Sequence, residues 1–175
     1  MKSKYGNNPL KVLIPLGLLG IVLAVVLYLV ITNYLRSTIW DYHETMTEEE
    51  KVKYSSMCLI PELSDYCVRY GEKTINFKTK RISVECCPID ELPEQYQKAA
   101  KEALDSEDFF NSSDIRNNSV KYYTIYTGTG SEWPMADINE LPEEYQKLAG
   151  KVTKKYYQIM EYEDGSRVFM FWFEY

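Results

Sequence analysis

From Val12 to Ile31 the chain runs for twenty residues without a charge, VLIPLGLLGIVLAVVLYLVI. At 1.5 Å rise per residue, a helix of that length covers ~30 Å, the hydrocarbon thickness of a bilayer. A helix half-buried in a soluble core would carry a polar stripe, and this run has none. Pro15, Gly17 and Gly20 are tolerated in lipid, where the helix is the only way to satisfy the backbone. The pattern predicts a transmembrane helix over 12–31, with 1–11 before it and a stalk over 32–46. Beyond the stalk the texture changes to short amphipathic stretches alternating with β-branched and aromatic ones. Thr47-Glu48-Glu49-Glu50 has the form of a capping box and predicts a helix to about Met57. DYCVRY (65–70), TINFK (74–78) and RISVEC (81–86) read as strands.

An internal repeat follows. Residues 89–98 read IDELPEQYQK and residues 138–147 read INELPEEYQK, identical at eight of ten positions with an offset of 49. Asp90 or Asn139 suits a cap, Pro93 or Pro142 the first turn, and the next Glu the positive helix end. Leu92, Tyr96, Ala99 and Ala100 then form one apolar face, as do Leu141, Tyr145, Leu148 and Ala149. Tyr96 and Tyr145 are expected to face the same sheet layer. Each helix is followed by strand-like sequence, SVKYYTIY (119–126) and KKYYQIMEY (154–162), and Asp164-Gly165 predicts a hairpin turn into RVFMFWFEY. Three helix–hairpin units result, over 47–88, 89–136 and 137–175, each too small to bury a core alone. The expected fold class is α+β, with the units sharing one antiparallel sheet. The last strand, Arg167 to Tyr175, is expected in its interior, beside the 156–162 strand and the KYYTIY strand.

The acidic-Leu-Pro-Glu helix start followed by a Tyr-rich hairpin, over 89–126 and 138–173, resembles small helix–hairpin modules of uncharacterised archaeal membrane proteins. That resemblance implies no catalytic residue.

Charge is divided unevenly along the chain. Residues 1–36 hold Lys2, Lys4, Lys11 and Arg36 and no acid, leaving 16 basic and all 26 acidic residues to 37–175, a formal charge of −10. Three of the four cations precede the apolar run, so the N-terminus is expected in the cytoplasm and the body outside the cell membrane. Tyr34 and Trp40 suit the outer interface. A cleaved signal peptide would have a shorter core and a small-residue cleavage site, and no cysteine stands near the run to carry a lipid. Gly20 and Ala24 form a small-xxx-small pair, read here as lipid-facing. An acidic body argues against a nucleic-acid partner. The expected contacts are membrane lipid through 12–31 and a protein partner of unknown identity.

Candidate chemistry is sparse. Cys58, Cys67, Cys86 and Cys87 are even in number and lie in the expected external part, which suggests two disulfides. Cys86 and Cys87, alternating along a strand, would each take one of Cys58 and Cys67. The spacings fit no metal knuckle, so neither metal nor cofactor is expected. Asn111-Ser112-Ser113 and Asn117-Asn118-Ser119 match the N-glycosylation acceptor. The one histidine, His43, lies close to the membrane, away from any nucleophile it could serve. In the last strand Phe169, Phe171, Phe173 and Tyr175 share one face: a core face or a partner surface. The reading as a whole is a non-enzymatic, membrane-anchored binding or structural module, with a membrane-tethered, carboxylate-dependent hydrolase as the alternative.

Overall fold

A computed structural model describes residues 10–76, 78–105, 109–111, 121–125 and 133–175. It opens with one 29-residue helix, α1 (Leu10–Thr38). This helix contains the whole predicted apolar run and continues through much of the predicted stalk. From Leu18 to Ile31 its large apolar side chains are 48–68% exposed. Among the described residues, no helix is long and apolar enough to cross a membrane.

The rest is α+β, as the patterning predicts. Seven strands form one antiparallel sheet: β1 (Asp41–His43), β2 (Cys67–Thr74), β3 (Lys80–Pro88), β4 (Phe109–Asn111), β5 (Lys121–Ile125), β6 (Lys154–Glu161) and β7 (Arg167–Glu174). Their order across the sheet is β1-β2-β3-β7-β6-β5-β4. Three helices, α2 (Glu48–Met57), α3 (Glu94–Asp105) and α4 (Glu143–Ala149), contribute to the core on one face. There Tyr54, Met57, Tyr96 and Ala100 join Ile82, Val84, Tyr157, Ile159, Phe169, Phe171 and Phe173 in one cluster. The three phenylalanines of β7 have no exposed surface. The core reading of that strand stands, and the partner-surface reading of Phe169, Phe171 and Phe173 is overturned. Tyr175 is half-buried, with its ring 5.8 Å from that of Phe173.

The local signals are realised closely. Thr47 caps α2 and Glu50 returns the bond, completing the capping box. At Asp164-Gly165 the glycine takes φ +80°, which a side chain would strain, and Asp164 Oδ1 accepts from Ser166 N at 2.8 Å. The repeat is structural too. Ile89–Glu91 and Ile138–Glu140 each make a 3-10 turn, followed by a buried Leu92 or Leu141. Asp90 and Asn139 lie within these turns and do not cap the helices. The Pro93 and Pro142 carbonyls accept the first helical bonds, from Tyr96 N and Tyr145 N, both at 2.9 Å. The repeated glutamine folds back instead. Gln97 Nε2 donates to Leu92 O at 2.7 Å and Gln146 Nε2 to Leu141 O at 2.7 Å. The two tyrosines part company: Tyr96 is 2% exposed, whereas Tyr145 is only half-buried.

Three expectations change. The predicted strand 74–78 does not form as a strand of its own among the described residues: Thr74 closes β2, and Asn76 Oδ1 accepts from the amides of Lys78 and Thr79, bending the chain there. The stalk ends in β1, which pairs with β2 at the sheet edge. The last strand is interior, but its second neighbour is β3, with Val84 opposite Phe171; the KYYTIY strand pairs with β6.

Candidate functional site

Side chains alternate across each strand, so the sheet has a second face that the helices leave open. On it Arg81 lies 4.4 Å over the Trp172 ring, and Trp172 stacks on Tyr156 at 4.2 Å. Arg81 Nε also donates to Glu174 Oε1 at 3.1 Å, and Lys154 Nζ stands 3.5 Å from the other oxygen. The Arg81 hydrogen bond holds the Glu174 carboxyl below the usual range, against the desolvation that would raise it. Towards the β1 edge, Lys73 lies 4.6 Å over Trp40. Gly71 makes this possible, since a β-carbon there would meet the Tyr42 and Trp40 rings at 3.1 and 3.2 Å.

Where β1 meets β2, three metal-ligating side chains converge. Asp41 and Glu72 are direct cross-strand partners, and His43 is two residues from Asp41 on the same strand, opposite Tyr70. The ligand atoms of Asp41, His43 and Glu72 lie within 4.8 Å of one another, with His43 Nε2 3.8 Å from Asp41 Oδ2. The imidazole stacks on Tyr70 with ring centroids 4.4 Å apart and planes 5° from parallel. Tyr70 is fixed in turn, because its hydroxyl donates to Glu50 Oε1 at 2.8 Å. The capping glutamate of α2 therefore also positions, through Tyr70, the histidine of β1. His43 Nε2 is itself buried and has no hydrogen-bond partner. Sequence reading set His43 aside as juxtamembrane. The available signal was the alternation Asp41-x-His43, which puts both side chains on one face of a strand; Glu72 is placed only by the pairing.

The cysteines are free thiols. Cys67 and Cys86 are cross-strand partners with sulfurs 3.9 Å apart. Cys87, the next residue on β3, is half-buried, and neither of the two expected links from Cys86 and Cys87 to Cys58 and Cys67 is formed. Burial raises the thiol pKa of Cys58 and Cys86 well above the ordinary value and that of Cys87 to about 11. These are poor nucleophiles. Asn111 closes β4, but Asn117 and the Ser113 and Ser119 that complete the two glycosylation acceptors lie outside the described residues.

Cavities adjoin the body among the described residues. One, of about 690 Å³, lies between α1 and the β2–β3 turn, with Tyr28, Thr32, Lys78, Lys80, Lys151 and Tyr175 in its walls. Another, of about 190 Å³, opens beside α4, between Met57, Ala149 and Lys155. Among the described residues, no Asp or Glu side chain lines either one.

No protein-family model, curated protein or solved structure matches the chain. The resemblance of 89–126 and 138–173 to archaeal helix–hairpin modules therefore rests on its motifs alone.

Proposed function

We propose that the chain is a single-pass membrane protein whose N-terminus is cytoplasmic and whose α+β body stands outside as a binding or structural module. The observation that carries this reading is the surface of α1. From Leu18 to Ile31 it is apolar on every side, and its large side chains are about half exposed or more. A helix apolar all round needs cover, and lipid supplies it without a partner chain. The sequence 12–17 brings the apolar run to twenty residues. Two further features agree. Lys78, Lys80 and Lys151 gather beside Tyr28 and Thr32, near the end of that run, where lipid headgroups would lie. Tyr34 is 67% exposed one turn further on, and Trp40 and Tyr42 follow, side chains suited to the interface. The orientation rests on Lys2, Lys4 and Lys11, not on the thiols.

Membrane fractionation with protease treatment tests the reading. The chain should stay in the membrane pellet through an alkaline carbonate wash, and protease added to intact cells should remove the body. Release by carbonate would overturn the anchor. Protection of the body in intact cells, with digestion only after lysis, would overturn the orientation.

A further inference from the structure

We propose that Asp41, His43 and Glu72 form a binding site for one divalent first-row transition ion, which clasps the edge strand β1 to β2. Three observations converge on a cation. Asp41 and Glu72 face each other directly across an antiparallel pair, an arrangement that like charges destabilise unless something positive lies between them. Lys80 approaches Glu72 at 3.3 Å from an exposed position, and the group facing Asp41 is His43, at 3.8 Å. His43 Nε2 is shielded and makes no hydrogen bond, on a side chain 40% exposed overall and with Asp41 Oδ2 3.8 Å away. Finally, the donors already lie within 4.8 Å of one another. An ion ~2.0–2.2 Å from each ligand needs donors about 3–3.5 Å apart. Rotation of the exposed Asp41 side chain and the half-buried Glu72 supplies the difference, while stacking on Tyr70 holds the imidazole still.

The donor set selects the class of ion. Calcium and magnesium prefer all-oxygen shells, whereas imidazole with two carboxylates suits Zn²⁺, Co²⁺, Mn²⁺ or Fe²⁺. Three protein ligands leave positions for water. The position of the site determines what the ion would do. β1 lies in the segment between α1 and α2 and joins the sheet by pairing with β2 at its edge. An ion shared by both strands would fix the direction in which α1 leaves the body. The site does not depend on the membrane reading, and a failure of either leaves the other untouched.

The test is titration of the full chain, in detergent micelles and freed of metal by a chelator, with Co²⁺ and separately with Ca²⁺. The expected result is one equivalent of Co²⁺ with weak visible bands and no intense thiolate charge-transfer band. Ca²⁺ should bind at least tenfold more weakly. His43→Gln and Asp41→Asn should each weaken Co²⁺ binding at least tenfold, while Glu44→Gln, an exposed acid beside the site, should not. Hydrogen exchange at the amides of Tyr42 and His43 should slow when the ion is added. Circular dichroism checks that each variant is folded, and Asp41→Asn, at an exposed position, decides if His43→Gln is not. The proposal is overturned if the unaltered chain binds no Co²⁺ saturably, if the folded variants bind as tightly as the parent, or if a thiolate band shows that the cysteines hold the ion.

Discussion

Replacing Arg81 with alanine removes two contacts at once on the open face of the sheet. Its guanidinium pairs with Glu174, a carboxylate only 6% exposed, and covers the Trp172 ring at 4.4 Å. Deleting one partner of a fully buried pair costs ~3–5 kcal/mol, because the other charge is stranded. Here Lys154 remains 3.5 Å from Glu174 and the Arg81 side chain is 28% exposed, so the pair is not fully dry. Arg81→Ala should therefore cost about 2–3 kcal/mol, of which about 0.5–1 comes from the cation–ring contact. Glu174→Gln keeps the shape and lets Arg81 turn to water, at a cost of about 1 kcal/mol. The double mutant should reveal a coupling of about 1–2 kcal/mol. The pH dependence has a definite sign. The folded-state pKa of Glu174 is depressed by Arg81, so its contribution is complete above the unfolded carboxylate value, ~4.3. It disappears as pH falls through the folded-state value, and the parent and Arg81→Ala curves should draw together there. Urea unfolding of the full chain in micelles, followed by tryptophan fluorescence, measures all three variants. A loss below about 0.5 kcal/mol at pH 7, or a difference as large at pH 3 as at pH 7, would refute the reasoning.

The repeat gives a paired comparison. Tyr96→Ala, losing a buried ring in edge contact with Trp133 at 5.3 Å, should cost ~3–5 kcal/mol. Tyr145→Ala at the half-buried equivalent should cost less than ~1.5 kcal/mol; equal losses in urea unfolding would mean that the two helices pack alike. Alkylation of the native chain, mapped by mass spectrometry, should label the half-buried Cys87 first, with Cys58, Cys67 and Cys86 reacting only on unfolding. Labelling of Cys58 ahead of Cys87 would contradict the burial described here.

Features decided within a few residues were legible in the sequence. The Thr47–Glu50 box, the paired Leu-Pro-Glu helices and the Asp164-Gly165 turn each draw on contacts two to four positions apart, and each occurs where expected. What required the whole fold was not legible. β3 and KYYTIY are both strand-like, and nothing local says which one lies beside β7. The pairing that forms sets Val84 against Phe171. TINFK has strand composition, yet the Asn76 side chain satisfies two amides locally and competes successfully with a ladder. The convergence of Asp41, His43 and Glu72 was hidden for a related reason. A three-residue strand is too short to show a period, and Glu72 joins Asp41 and His43 only through register.

The position of β7 bears on how the body comes into being. Among the described strands, β1, β2 and β3 form one ribbon and β6, β5 and β4 another, and β7 joins them. Its partner β3 is remote in the chain, with Arg81 paired to Glu174, whereas its partner β6 is reached through a tight hairpin. A growing chain would hold the first ribbon with its β3 edge unpaired until β7 emerges, and open edges of that kind recruit foreign strands. Closure between such distant segments is also intrinsically slow. That interval is the time when neighbouring half-made copies could exchange strands. Chaperoning of that edge, or low crowding at the site of synthesis, would then govern yield more than the final stability of the sheet.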